Sequence, residues 1–264
     1  MADWSTNKRS GGRITSGLRL NTLVDRTLEF VKGELHKWRD DPTRTSEEAE
    51  ERLNAQLCKH LNVSSRKHFP MVYFHHEEKQ TAERRVDISA LPSECGFVGA
   101  TFHSIYDPVT VFEGKRLPPP KHPRGREREY ISGGDLKSGG IQWFKLGLHG
   151  ARYKTVAIIG YIQEGEAAEW LKRINAWIRE LDGMIGTDGE TWSASEQLKG
   201  FTNNDDTLIA DSSSSHRRIG EVVSDNVDIR HLWAQMKKNI RSAPSKPIRS
   251  VCGRIPIDKK QNSC

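Results

Sequence analysis

Apolar residues along the chain recur at two periods, and the change from one to the other organises it. Over residues 23–38 the spacing is helical, with Leu28, Val31 and Leu35 on one stripe. Pro42 breaks that run. A second helix is predicted over 46–61: Leu53, Leu57 and Leu61 line one face, and Thr45 with Glu48 has the form of a capping box. The period then shortens. Residues 71–74, 85–91 and 109–117 are β-branched or aromatic stretches bounded by proline, glycine and charged turns, the pattern of strands. A long connection, 92–108, separates the last two.

Residues 117–128 are proline-rich and basic and read as an exposed loop, and 138–148 as a helix opening after Gly139-Gly140. The continuous run Val156-Ala157-Ile158-Ile159 within 155–163 marks a strand buried on both faces. Over 164–181, Leu171, Ile174, Ile178 and Leu181 form the apolar face of an amphipathic helix. Residues 183–215, with serine at 212 to 215, read as loop, and 227–233 as a last strand. The order implies an α/β fold: one domain over 21–240, with a central mixed sheet flanked by helices on both faces. A disordered segment over 1–20 and a polar tail over 241–264 are expected to bracket it.

Of 264 residues, 35 % are hydrophobic and 29 % charged, and no run approaches the roughly 18 apolar residues of a membrane span. The basic N-terminus has no apolar core of a signal peptide, so the expected address is the cytoplasm and no membrane partner is implied. Cys58, Cys95, Cys252 and Cys264 are scattered, which points to reduced thiols. A net charge of +6 favours polyanionic partners by long-range attraction. Many basic proteins bind no nucleic acid, so charge alone decides nothing.

The chemistry lies on two consecutive predicted strands. One carries Arg85-Val86-Asp87-Ile88, the next Phe112-Glu113-Gly114-Lys115. Residues i and i+2 of a strand face the same way, so Glu113 and Lys115 project together, away from Phe112 and Gly114. If the strands are neighbours, Asp87 joins them. Two carboxylates supply hard oxygen ligands for Mg²⁺, and a lysine beside them can steady negative charge on a phosphoryl group or position a water. The bland alternative is a cross-strand ion pair on a solvated face.

An Asp followed by E-x-K on adjacent strands resembles the PD-(D/E)XK, or restriction-endonuclease-like, nucleases, over roughly residues 46–181. Members often carry an inward carboxylate on a helix before the sheet. Glu50 shares the stripe of Leu53, Leu57 and Leu61 and takes that place, with an exposed acidic run as its alternative. Members also often place a glutamine early in the helix after the E-x-K strand, where Gln142 stands. The resemblance departs in two places: Val86 replaces the proline before the aspartate, and no tyrosine follows Gln142 by four.

The resemblance implies a hydrolase cutting phosphodiester bonds of DNA, with Asp87, Glu113, Lys115, Glu50 and Gln142 at its centre. Asp87, Glu113 and Glu50 would hold Mg²⁺, for which Mn²⁺ could substitute. Phage defence or DNA repair is the implied setting, with a helicase or ATPase subunit or a second copy of the chain as conceivable partners. An RNA-cutting effector would use the same residues, and a silent copy of the fold would serve as a nucleic-acid-binding or assembly subunit. Lys121, Arg124, Arg126 and Arg128 could track a phosphate backbone, although interleaved Glu127 and Glu129 make a solvated loop an equal reading. His75-His76-Glu77-Glu78 reads as a polar hairpin end, because neighbouring side chains on a strand face opposite ways. Residues 215–218 could be surface or a nucleic-acid contact, and nothing in the sequence recruits His103 or His149.

Overall fold

The computed structural model describes residues 23–80, 84–98, 101–121, 126–133 and 139–236. The expected disordered segment over 1–20 and the tail over 241–264 lie outside these residues, as does Arg124.

Two helices lead: α1 (Leu23–Arg39) and α2 (Glu50–His68). Strands β1 (Val72–Lys79) and β2 (Arg85–Pro92) form a hairpin. A small hairpin, β3 (Gly96–Val98) and β4 (Thr101–His103), occupies the expected long connection. Then come β5 (Thr110–Leu117), α3 (Gly140–Lys145), β6 (Thr155–Ile162), α4 (Ala167–Glu180), β7 (Lys199–Asn204), β8 (Ile209–Arg217) and β9 (Asn226–Gln235).

Among the described residues, seven strands form one mixed sheet in the order β1-β2-β5-β6-β9-β8-β7. The centre, β5-β6-β9, is parallel and the flanks are antiparallel. The central strand β6 explains the layers. Ala157, Ile159 and Tyr161 pack with Leu28, Leu35, Leu53 and Leu57 of α1 and α2. Val156 and Ile158 pack on the other face with Ile141 and Phe144 of α3 and Trp170, Ile174 and Ile178 of α4. A strand buried on both faces reads as a near-continuous apolar run, as this one does from Val156 to Ile162, with the Tyr161 hydroxyl bonded to Asn54. No helix of the described residues is long and apolar enough to cross a membrane.

Two expectations are corrected. Helix α2 starts at Glu50, not at 46, and no side-chain cap forms on it. The Gln56 amide instead donates to Thr45 Oγ1 at 2.7 Å and to the Thr45 carbonyl at 3.2 Å, holding the preceding segment out of the helix. The helix runs on to His68, stopping just before Pro70, as proline disfavours helix in the residue before it.

The second correction concerns 183–215, which is not all loop but contains β7 and most of β8. Along β8, Ser212, Ser214 and His216 are buried while Ser213, Ser215 and Arg217 are exposed. Two of these buried polar groups bond each other: Ser214 Oγ lies 2.6 Å from His216 Nε2 and also 2.7 Å from His231 Nε2. His231 Nδ1 meets the Tyr130 hydroxyl at 2.7 Å, and the Trp233 indole donates to that hydroxyl at 2.8 Å.

Candidate active site

The β2–β5 ladder pairs Ala90 with Thr110, Ser89 with Val111 and Ile88 with Phe112, and there it ends. Strand β5 continues beside β6 as far as Leu117. The two strands therefore part beyond Ile88 and Phe112, and the β5 amides of Gly114 and Arg116 face the gap without a strand partner. Carboxylates satisfy both: Gly114 N–H donates to Asp87 Oδ2 at 2.7 Å, and Arg116 N–H to Glu50 Oε2 at 2.9 Å. Hydrogen bonds of this kind contribute on the order of 1 kcal/mol each. The wedge thus draws in acidic side chains from β2 and from the first turn of α2.

Glu113 and Lys115 face the same way, as strand alternation requires. Lys115 Nζ sits 3.0 Å from Glu113 Oε1 and 3.0 Å from Glu50 Oε1. Both Glu113 and Lys115 are buried, while the Glu50 side chain keeps about 29 % of its surface. The Lys115 ammonium also lies 5.8 Å from the centre of the Trp143 ring. The other oxygen of Glu113, Oε2, meets His149 Nδ1 at 3.0 Å.

Gly114, between the two charged residues, makes room for α2. A Cβ there would lie 2.1 Å from Asn54 Oδ1, an atom held by the Tyr161 hydroxyl at 2.7 Å. Asn54 is one turn beyond Glu50, so this close approach brings the start of α2 over the wedge.

The charges do not balance. Three carboxylates, Asp87, Glu113 and Glu50, share one ammonium. Burial works against the Lys115 ammonium, yet Glu113, Glu50 and Asp87 together hold its pKa well above the ordinary lysine value. Burial also pushes Glu113 up, but Lys115 and His149 outweigh it and the group stays below the usual carboxylate range. Asp87 bears the excess: burial first, then the charge of Glu113, raise it well above that range.

No family model matches this chain, and neither does any curated protein or solved structure. Asp87, Glu113, Lys115 and Glu50, singled out from sequence, come together. Gln142 is buried nearby on α3, but its amide is committed elsewhere: Oε1 accepts from Ser132 Oγ at 3.0 Å and Gly133 N–H at 3.2 Å, and Nε2 donates to Glu190 Oε1 at 2.6 Å. Among the described residues no bond joins it to the carboxylates. Of the basic loop, Arg126 is ion-paired with Glu129 and Arg128 with Glu180. The His75–Glu78 contact at 2.8 Å agrees with a polar hairpin end. Residues 215–218 are not simply surface: His216 and Arg218 are buried, and the Arg218 guanidinium holds the carbonyls of Phe144, Gly150 and Tyr153 at 2.8–3.0 Å.

Sequence reasoning missed His149 and Glu129. His149 is placed by a turn in which Gly147 and Gly150 both have positive φ, 64° and 61°, a conformation that glycine adopts freely. The Gly-Leu-His-Gly string was the available signal. Glu129 is buried, and burial raises its carboxyl, with the charges of Lys115 and Arg126 offsetting only part of the effect.

Among the described residues, no group of three or more histidine, cysteine, aspartate or glutamate side chains is set to hold a metal ion as they stand. The donor set nevertheless suits a hard divalent cation, because it consists of carboxylate oxygens and carries more negative charge than Lys115 neutralises.

Proposed function

We propose that this protein is a metal-dependent nuclease of the PD-(D/E)XK type that hydrolyses phosphodiester bonds of DNA. The observation that carries the reading is the wedge between β2 and β5, where Asp87, Glu113 and the helix-borne Glu50 surround Lys115. The order of elements supports it too: a helix with an inward carboxylate, an antiparallel aspartate strand, the E-x-K strand, then a parallel strand followed by a helix.

Asp87 and Glu113 are the residues that would hold Mg²⁺ or Mn²⁺. When bound, such an ion supplies polarisation of the phosphoryl oxygen and a lowered pKa for water. Glu50 has a different task, since one oxygen holds Lys115 Nζ and the other the Arg116 amide: it orients the lysine. Lys115, kept protonated by its carboxylates, is not the base. It steadies negative charge developing on the phosphoryl oxygens. His149 holds the Glu113 carboxylate in one orientation.

One competing reading has an observation in its favour. Lys115 stands between Glu113 and Glu50 as an ion pair, which a non-cutting, nucleic-acid-binding copy of the fold would also display. The test is cleavage of linear, circular and single-stranded DNA and of RNA, with Mg²⁺, Mn²⁺ or EDTA, by the wild type and Lys115→Ala. Metal-dependent cleavage lost in the variant, with binding retained, supports the nuclease. Equal cleavage by the variant removes Lys115 from the chemistry, and binding without cleavage under any metal favours the silent copy.

A further inference from the structure

Strand β5 ends at Leu117 and the chain turns through Pro118, Pro119 and Pro120. Between this turn and α4 lies a cleft of about 670 Å³, within the roughly 300–1,000 Å³ typical of ligand sites. Its charged lining is mainly basic: Arg116, Lys121, Arg126 and Arg173 outnumber Glu127 and Glu164. Two tryptophans of α4 complete the wall. Trp170 and Trp177 are seven residues apart, two turns of helix, and so share one face. Trp170 is buried, and its indole N–H donates to the Glu164 carbonyl at 2.8 Å. Trp177 is half-buried, with its ring centre 6.4 Å from that of Trp170. The Arg173 guanidinium lies 4.6 Å from the Trp170 ring centre.

We propose that this cleft seats an unpaired nucleic-acid strand running out from the scissile phosphate, an assignment that rests on the nuclease reading above. Continuity is the first argument. Arg116 directly follows Lys115, and its amide shares the Glu50 carboxylate with Lys115 Nζ. Arg126 is ion-paired with Glu129, whose carboxyl feels the charge of Lys115. The cleft thus adjoins the wedge through the Arg116 backbone and through the Arg126–Glu129 pair, and its cations are Arg116, Lys121, Arg126 and Arg173.

The mixture of side chains is the second argument. Guanidinium and ammonium groups neutralise phosphates, and an indole face takes any base. The Arg128 guanidinium lies 5.9 Å from the Trp177 ring centre, the place a base would take; bases inside a duplex are already stacked on their neighbours, so only an unpaired strand would gain from Trp177. The cleft therefore selects for single-stranded character near the cut, with little preference for sequence.

The experiment is fluorescence anisotropy in EDTA, where no cleavage occurs, with a labelled oligothymidylate and a blunt duplex of equal length. The expected result is at least about ten-fold tighter binding of the single strand by wild type. Trp177→Ala should weaken single-strand binding roughly 5- to 100-fold, the range for loss of one stacked base, and leave duplex binding unchanged. Arg173→Gln should reduce the slope of log affinity against log salt by about 0.7 on the single strand. This readout does not depend on Trp177→Ala folding normally, which circular dichroism and thermal melting check.

Equal binding of duplex and single strand by wild type overturns the proposal, as does wild-type behaviour of both variants. Displacement of the strand by a polyglutamate peptide of equal charge also overturns it, because such a peptide has no bases to stack. If wild type cuts with Mg²⁺ but the variants bind normally, the cleft assignment fails and the nuclease stands. If nothing is cut but the variants lose strand binding as described, the nuclease reading fails and the cleft stands as a strand-binding site.

Discussion

Asp87→Asn should make this protein more stable and, on the nuclease reading, nearly inactive. Asn keeps an oxygen in the place of Asp87 Oδ2, so the 2.7 Å bond from Gly114 N–H survives. What disappears is a negative charge that burial and Glu113 both oppose. The folded-state pKa of Asp87 lies above the unfolded value, so the fold binds the proton more tightly than the unfolded chain does. That contribution to stability is present at low pH and is lost as pH rises through the raised pKa. At neutral pH the wild type carries the penalty and the variant does not.

The gain should be about 0.5–2 kcal/mol, the usual size of a single stabilising substitution. It should be small near pH 4 and grow towards neutrality. Cleavage should fall in the opposite sense. Loss of metal and electrostatic catalysis costs several kcal/mol, and at about 1.4 kcal/mol per ten-fold the rate should drop at least about a hundred-fold. Urea denaturation from pH 4 to 8 in EDTA, beside a cleavage assay, measures both. A variant less stable than wild type at pH 7, or one whose advantage shrinks as pH rises, refutes the argument from charge imbalance even if activity is lost.

Three other substitutions probe separate parts of the structure. Gly114→Ala should destabilise by roughly 1–3 kcal/mol, the range for overpacking, because the new Cβ meets Asn54 at 2.1 Å; a urea midpoint equal to that of wild type would contradict this. His149→Phe should slow cleavage roughly ten- to hundred-fold, as loss of a group supporting a ligand does. Without the donor to Glu113 Oε2 the carboxyl holds its proton more tightly, so the acid limb of the pH–rate profile should move to higher pH; an unmoved limb would assign His149 to packing alone. Glu196→Gln leaves the buried Lys145 ammonium without the carboxylate now at 2.6 and 2.7 Å, and should destabilise by about 3–5 kcal/mol. Adding Lys145→Met should recover much of the loss in a thermal melt, and no recovery would show that the ion pair is not the cause.

What could be read from sequence follows from where each signal resides. Helices α1 and α4 and strands β6 and β9 announce themselves because their apolar faces are local patterns, set by packing against one sheet. The wedge was legible for the same reason: Glu113 and Lys115 share a strand face whatever the rest of the chain does, and Glu50 shares a stripe with Leu53 and Leu57. Strand β8 was not legible, because its inward positions are Ser212, Ser214 and His216. They become core residues only when β9 brings His231 and the 126–133 segment brings Tyr130. Residue identity likewise left open whether Gln142 would face the carboxylates or Glu190, since either can bond an amide. His149 depended on backbone direction through two glycines rather than on any pattern of residue types.

The two buried lysines of this sheet layer show why charge balance discriminates better than residue type. Lys145 is fully buried and bonded to one carboxylate, Glu196, whose Oε1 also takes the Arg217 amide, while the charge of Glu190 supports it without a bond. Cation and anion are bonded directly to each other, and breaking such a pair is costly although forming it contributes little net stability. Lys115 is equally enclosed, but three carboxylates converge on it and one of them, Asp87, is pushed towards its protonated form. A fold selected for stability alone would have lost that third carboxylate, since removing it relieves repulsion. On the nuclease reading, its position in the gap between β2 and β5, where the strand amides have parted, would serve a divalent cation that offsets this charge. The stability gain expected for Asp87→Asn therefore tests the excess negative charge of the site, and the activity loss expected for the same change tests separately whether that charge serves a metal.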